Sequence, residues 1–119
     1  MSVKVTSEDL KKRLDEYGNS AFVVTVDAGF KIKVVNSSIF SEGAFLICMP
    51  GQGTLRNLEH NRSVTLIFQP HTEGGFSMII DGDGEVLDPE EGTIKISFIN
   101  GVLHRPCLLY TSPSPRDRG

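Results

Sequence analysis

The sequence predicts a mainly-β domain, a small closed or half-closed barrel of about six to seven antiparallel strands with a short N-terminal helix and one inserted helix. Three observations carry this expectation. Short runs of β-branched and apolar residues recur along the chain, separated by turn residues. Helical spacing of apolar residues occurs in only two places. Closure into a barrel would also cover the edges that such a set of strands leaves unpaired.

The elements follow in order. Thr6-Ser-Glu-Asp9 supplies a Ser/Thr cap with acids in the first turn, where they meet the positive end of the helix dipole. Leu10, Leu14 and Tyr17 then recur at i, i+4 and i+7, and Gly18 supplies the stop. Ala21-Phe-Val-Val-Thr-Val26 reads as a strand running into the turn Asp27-Ala-Gly29. Phe30-Lys-Ile-Lys-Val-Val35 alternates as a second strand, and Ala44 to Met49 forms a third, stopped by Pro50-Gly51. Gly53 to Asn61 carries Leu55 and Leu58 at i, i+3 and reads as a two-turn helix with Thr54 as its cap. Val64–Phe68, Phe76–Ile80, Glu85–Leu87 and Thr93–Phe98 complete the strands.

The 119 residues hold 12 Lys+Arg against 15 Asp+Glu, a net charge of −3. That length has room for one domain. Mild acidity argues against a dedicated nucleic-acid binder. No apolar run reaches the roughly 18 residues that span a bilayer, and the N-terminal stretch has no signal-peptide pattern. A cytoplasmic protein with neither membrane nor nucleic-acid partners is expected. Two cysteines, Cys48 and Cys107, cannot make a disulfide framework. Cys48 lies in an apolar run, where a buried, inert thiol is expected.

The end of the chain stands apart. By composition it is a Pro/Ser-rich, disordered tail with Ser-Pro pairs at Ser112 and Ser114. Cys107-Leu-Leu-Tyr-Thr-Ser-Pro-Ser-Pro-Arg-Asp117 also resembles the translation of a transposon-based sequencing-library adapter. The expected domain is therefore 1–106, with 107–119 an artefactual tail. Without Arg116, Arg118 and Asp117, 10 basic residues face 14 acidic ones, a balance of −4.

Several motifs bear on chemistry. Gly51-Gln-Gly53 suggests a dinucleotide loop, but position 56 is Arg where a third glycine belongs, and no βαβ unit surrounds it. The backbone at Gly53, the Thr54 hydroxyl, the Arg56 guanidinium and Asn57 could together hold a phosphate. The plainer alternative is a capped helix with a solvated arginine. Asp81-Gly-Asp-Gly-Glu85 reads as a type I′ hairpin turn rather than half of a calcium loop. His60, His71 and His104 are scattered at no metal-ligand spacing, so no metal site is expected. Asn36-Ser-Ser38 and Asn61-Arg-Ser63 are chance glycosylation triplets in a chain without a secretory signal. No set of residues suggests a catalytic triad or a carboxylate pair, and catalytic residues stay unassigned.

The order of three stretches resembles the pyridoxamine 5′-phosphate oxidase-like, FMN-binding split β-barrel family. Ala21-Phe-Val-Val-Thr-Val-Asp27 with Lys31-Ile-Lys-Val-Val-Asn36 is similar to the opening hairpin "AxLxTVdxdGrPhvvpV". Gly53-Thr-Leu-Arg-Asn-Leu58 with Arg62-Ser-Val-Thr-Leu66 is similar to "RkarNLrrdPrVsL". Gly75-Phe-Ser-Met-Ile-Ile-Asp-Gly82 and Val102-Leu-His-Arg-Pro106 resemble the "GysLivDGtA…avlHRPa" ending of a compact subgroup, which places a native end near Pro106.

The resemblance implies a homodimeric split barrel that binds FMN, or in some branches a deazaflavin, at the subunit interface and acts as an oxidoreductase. It puts Arg56 and Asn57 on the phosphate-gripping helix with Gly53 and Thr54 beside them. It puts Val34, Val35 and Asn36 on the strand that lines the isoalloxazine ring. The chain also departs from the family. Leu55-Arg56 gives one basic residue where two are common, Lys31-Ile32-Lys33 replaces a proline-bearing stretch, and the C-terminal residues used for pyridoxal phosphate are missing. True pyridoxamine phosphate oxidase activity is therefore not expected. A non-catalytic dimeric barrel that binds a small ligand, or serves a structural role, is the alternative.

Overall fold

A computed structural model describes residues 2–105. The adapter-like run from Cys107, with Ser112 and Ser114, lies outside them. The elements are β1 (Ser2–Val5), a 3-10 turn (Ser7–Asp9), α1 (Leu10–Tyr17), β2 (Ser20–Val26), β3 (Ile32–Glu42) and β4 (Phe45–Cys48), then α2 (Gln52–Leu58), β5 (Ser63–Phe68), β6 (Ser77–Asp88) and β7 (Thr93–His104). The strands run in the order β1-β7-β4-β3-β2-β5-β6, and pairing of β6 with β7 closes six of them into an antiparallel barrel. The expected mainly-β barrel with two helices is the one observed.

Alternation along each strand builds the interior. Ala21, Val23 and Thr25 face inward from β2, Leu46 and Cys48 from β4, Val64, Leu66 and Phe68 from β5, and Ile94 and Ile96 from β7. α1 adds Leu10 and Leu14, and α2 adds Leu55 and Leu58. Each Val, Leu, Ile or Phe among them, withdrawn from water, contributes about 1.5–3 kcal/mol. The Thr6 side chain accepts a hydrogen bond from the Asp9 N–H at 3.3 Å, and Gly18, at φ 83°, ends α1. Burial pushes the Cys48 thiol up to about 11, against a smaller lowering by its hydrogen bond with Ser37.

Two long strands change partners part-way, and this splits the barrel. β7 pairs with β6 along one edge, while its other edge is shared between β4, on Ile94–Ser97, and β1, on Gly101–His104. β3 pairs with β2 over Ile32–Ser38 and with β4 over Ile39–Glu42. The β4 side of residues 32–38 therefore has no strand partner among the described residues, and the Lys33 side chain reaches Gly53 of α2.

The structure corrects four expectations. Asp81-Gly-Asp-Gly-Glu85 is not a hairpin turn but the middle of the continuous strand β6. Its glycines are needed for lack of space. A Cβ at Gly82 would meet Ile96 Cγ2 at 2.5 Å and the Ser97 carbonyl at 2.8 Å, and one at Gly84 would meet Val64 and Leu58 at 2.7 and 3.1 Å. The aspartates that alternate with them face the other way: Asp81 accepts from the Thr65 hydroxyl at 2.7 Å, and Asp83 pairs with Arg62 at 2.6 Å. The last strand runs on past Phe98 to His104, through a bulge that leaves Ile99 unpaired and exposed. Thr54 is not the helix cap. Gly51 holds that position at φ 109°, and Thr54 is a fully buried residue of the helix itself. Finally, β1 was absent from the expected set, because four residues with only Val5 buried carry too little apolar alternation to read.

Replacing Gly82 with Ala should lower stability by about 1–3 kcal/mol, because rigid backbone and a β-branched side chain oppose the added methyl. Urea unfolding followed by circular dichroism reads the loss; an unchanged midpoint would contradict this close packing.

Candidate functional site

The inward-facing row of β3, Ile39, Ser37 and Val35, continues at the same two-residue spacing into Lys33 and Lys31. By then the barrel wall has ended, so the row emerges into solvent facing α2. Across the β2–β3 ladder, Lys33 lies opposite Thr25. Thr25 is buried, and its hydroxyl accepts a hydrogen bond from the Asn57 amide at 3.1 Å. That bond joins α2 to β2 beside the lysine. A second tie, from Gln52 Nε2 to the Pro89 carbonyl at 3.1 Å, anchors the other end of α2 to the β6–β7 turn.

Between the β2–β3 hairpin and α2 lies an open groove of about 480 Å³, lined by Asp27, Lys31, Ile32, Lys33, Gly53, Arg56 and Asn57. The Lys33 side chain lies over Gly53: a Cβ there would stand 2.7 Å from Lys33 Cε and 3.1 Å from its Nζ. Three cations thus converge from two segments. Among the described residues, Lys31, Lys33 and Arg56 have no carboxylate at ion-pair distance, whereas Arg62, Arg13, Lys11 and Lys95 all do. Cations gathered without counter-ions leave their donors available to an anion.

The hairpin end of the groove is held by Asp27. Its Oδ1 accepts from the N–H groups of Gly29 at 2.8 Å and Lys31 at 2.9 Å, while its own N–H donates to the Lys31 carbonyl at 2.9 Å. This side-chain turn fixes where Lys31 leaves the strand. It also holds Phe30 at φ 66°, an uncommon conformation for a bulky residue, with its ring in solvent.

The seven sequence-derived residues separate into four groups. Gly53, Arg56 and Asn57 line the groove. Thr54 is buried beneath the helix, and its hydroxyl has no partner among the described residues. Val34 and Asn36 lie on the outer face of β3, where Asn36 accepts from the Ser20 hydroxyl at 3.1 Å and borders two shallow depressions of about 290 and 390 Å³. Val35 has the opposite parity and packs against the core.

Lys31, Lys33 and Asp27 were not singled out from sequence as groove residues. The i, i+2 spacing of the lysines marks one face of a strand, but nothing local shows that this face meets a helix some twenty positions later. The two departures from the family pattern therefore meet in space. The helix has one basic residue too few, and the strand brings two lysines to the same groove.

Among the described residues no three His, Cys, Asp or Glu side chains gather to hold a metal ion, and no helix is long and apolar enough to cross a membrane. No protein-family model matches the chain. Two curated relatives, uncharacterized proteins of Mycobacterium bovis and Mycobacterium tuberculosis, are each 28% identical over 116 residues, covering 86% of this chain and 81% of theirs. Similar solved structures include three that share the fold over most of the chain. The FAD-binding protein of Mycobacterium smegmatis superposes with a TM-score of 0.62 at 14% identity, covering 88% of this chain and 100% of that one. HutZ of Vibrio cholerae, described as a heme storage protein, gives 0.64 at 13%, with 82% and 93% covered. A Corynebacterium glutamicum protein provisionally named a pyridoxamine 5′-phosphate oxidase gives 0.63 at 11%, with 89% and 100% covered. The chain thus shares the split-barrel fold of FAD-binding and pyridoxamine 5′-phosphate oxidase-like proteins.

Thr25→Val, which keeps the shape but removes the acceptor, should leave the Asn57 amide buried without a partner and cost about 1–3 kcal/mol. Thr25→Ser should recover most of it. Chemical denaturation of the two variants checks this; equal losses would contradict the hydrogen bond's role.

Proposed function

We propose that this split barrel binds a flavin by its phosphate in the groove between β3 and α2 and serves as a flavin-dependent oxidoreductase, acting as a homodimer. One observation carries the reading: Lys31, Lys33 and Arg56 line one groove, and among the described residues none of the three has a carboxylate at ion-pair distance. A phosphate monoester, carrying about −1.5 to −2 charges at neutral pH, suits that donor set. FMN is the simplest such flavin, and a phosphate-bearing deazaflavin presents the same group. The mycobacterial structural neighbour is named for FAD binding, which supports a flavin.

Bound flavin would supply hydride or electron transfer at its ring. The chain's own residues would bind and orient it. Lys33 and Arg56 would hold the phosphate from opposite walls, and the Thr25–Asn57 bond would keep those walls in register. The outer face of β3 would lie along the rest of the cofactor at a subunit interface. That face is apolar and open: Ile32, Val34 and Phe40 are 71%, 55% and 49% exposed, with Met49 beside them at 59%. Apolar area of this kind suits a second copy of the chain.

A second reading is a non-catalytic ligand-binding barrel. It is favoured by the described heme storage role of one structural neighbour. Supplying FMN and a nicotinamide donor separates the two, since a storage or structural protein turns nothing over.

Titration of the purified chain with FMN and riboflavin, read by flavin fluorescence, should show clear preference for FMN. Lys33→Ala and Arg56→Ala should each weaken FMN binding roughly 10- to 100-fold while leaving riboflavin unaffected. A colourless protein that takes up neither FMN nor a deazaflavin would sink the cofactor reading. For the dimer, sedimentation should give twice the chain mass, and Phe40→Asp should shift it to monomer with an unchanged circular dichroism spectrum. A wild-type monomer at micromolar concentration would contradict the assembly.

A further inference from the structure

Asp27 is a puzzling neighbour for an anion. It lines the groove with Lys31, Lys33 and Arg56, yet pairs with none of them at ion-pair distance among the described residues. Its work for the fold is done by one oxygen: Oδ1 takes both backbone N–H groups, of Gly29 and Lys31, while no bond to Oδ2 is seen. An amide or hydroxyl oxygen accepts the same two N–H groups, since Asn and Ser form the same side-chain turns. The turn therefore needs an acceptor at this position and does not need a charge. The charge has a different effect: it reduces three positive charges in the groove to a net of two.

We infer that Asp27 is a specificity-determining residue, whose negative charge tunes the groove to a phosphate monoester and against more highly charged anions such as inorganic pyrophosphate. The inference rests on the phosphate reading of the groove. A net charge of +2 balances a monoester dianion, whereas pyrophosphate brings additional negative charge that Asp27 repels. The effect is purely electrostatic, so salt must screen it: the screening length falls from about 10 Å at 0.1 M to about 3 Å at 1 M.

The test compares Asp27→Asn and Asp27→Ser with wild type, titrating FMN, riboflavin and inorganic pyrophosphate (the last by competition against FMN) at low and high salt. Both variants should keep their melting temperature within a few degrees. Both should bind FMN more tightly at low salt, roughly three- to tenfold. Pyrophosphate should gain more than FMN, riboflavin should not change, and the gains should shrink at 1 M salt. An interaction serving only the turn would weaken binding or leave it unchanged. Unchanged or weaker FMN affinity at low salt, equal gains for both anions, or a gain that persists at high salt would each overturn the inference. So would loss of the fold in both variants, which would show that the turn requires the carboxylate charge. If the wild type binds FMN and riboflavin equally, the phosphate reading itself fails. If it prefers FMN but the variants gain nothing, only the role of Asp27 fails.

Discussion

The close approach of β6 to its neighbours underlies the rest of the molecule. At Gly84 the strand presents bare backbone to Leu58, the last residue of α2, and at Gly82 it does the same to Ile96 of β7. The barrel can close tightly only because these positions lack side chains, and α2 can seat its apolar face only because Gly84 leaves room. Seating α2 brings Asn57 to Thr25, and Asn57 in turn sets Arg56 and Gly53 against Lys33. The groove is thus a downstream consequence of packing in the wall.

The groove's electrostatics follow from where the wall stops. β3 outruns β4 at one end, so the inward row that carries Ser37 and Val35 among apolar neighbours carries lysines as soon as solvent replaces the core. Charged groups are tolerated there because their hydration is kept, and they face a helix that adds a cation instead of a carboxylate. Natural folds usually pair such charges or spread them apart. Here, among the described residues, they stand together with no carboxylate at ion-pair distance, which is the arrangement expected where a ligand completes the balance.

Much of the fold was legible because barrel strands alternate and helices do not. The runs at Ala21–Val26 and Val64–Phe68 were recognisable from their own residues. Asp81-Gly-Asp-Gly misled because Asp-Gly serves both tight turns and close packing, and only the identity of the facing atoms, Ile96 and Leu58, decides between them. The strand total agreed only through compensation, with β6 divided into two and β1 overlooked. For the site, Arg56 and Asn57 were visible as a local cluster. Lys31 and Lys33 were visible only as an oddity of the hairpin, because their meaning depends on a partner segment that the strand sequence does not contain. Thr25 could not be found that way at all, since a threonine in a β-branched run looks like any other strand residue.

The arrangement at β7 has a consequence for how the molecule behaves among its own copies. Closing the barrel leaves Gly101–His104 without β4, and β1 takes that place. The open rim is thereby moved onto four residues, of which Lys4 presents a charge to anything that would add another strand. Trimming a handful of residues from the front of the chain would uncover the backbone of Val102 and Leu103, next to the exposed Ile99, as a template for intermolecular β-pairing. Residues 2–5 thus cover a strand edge as much as they form a part of the wall.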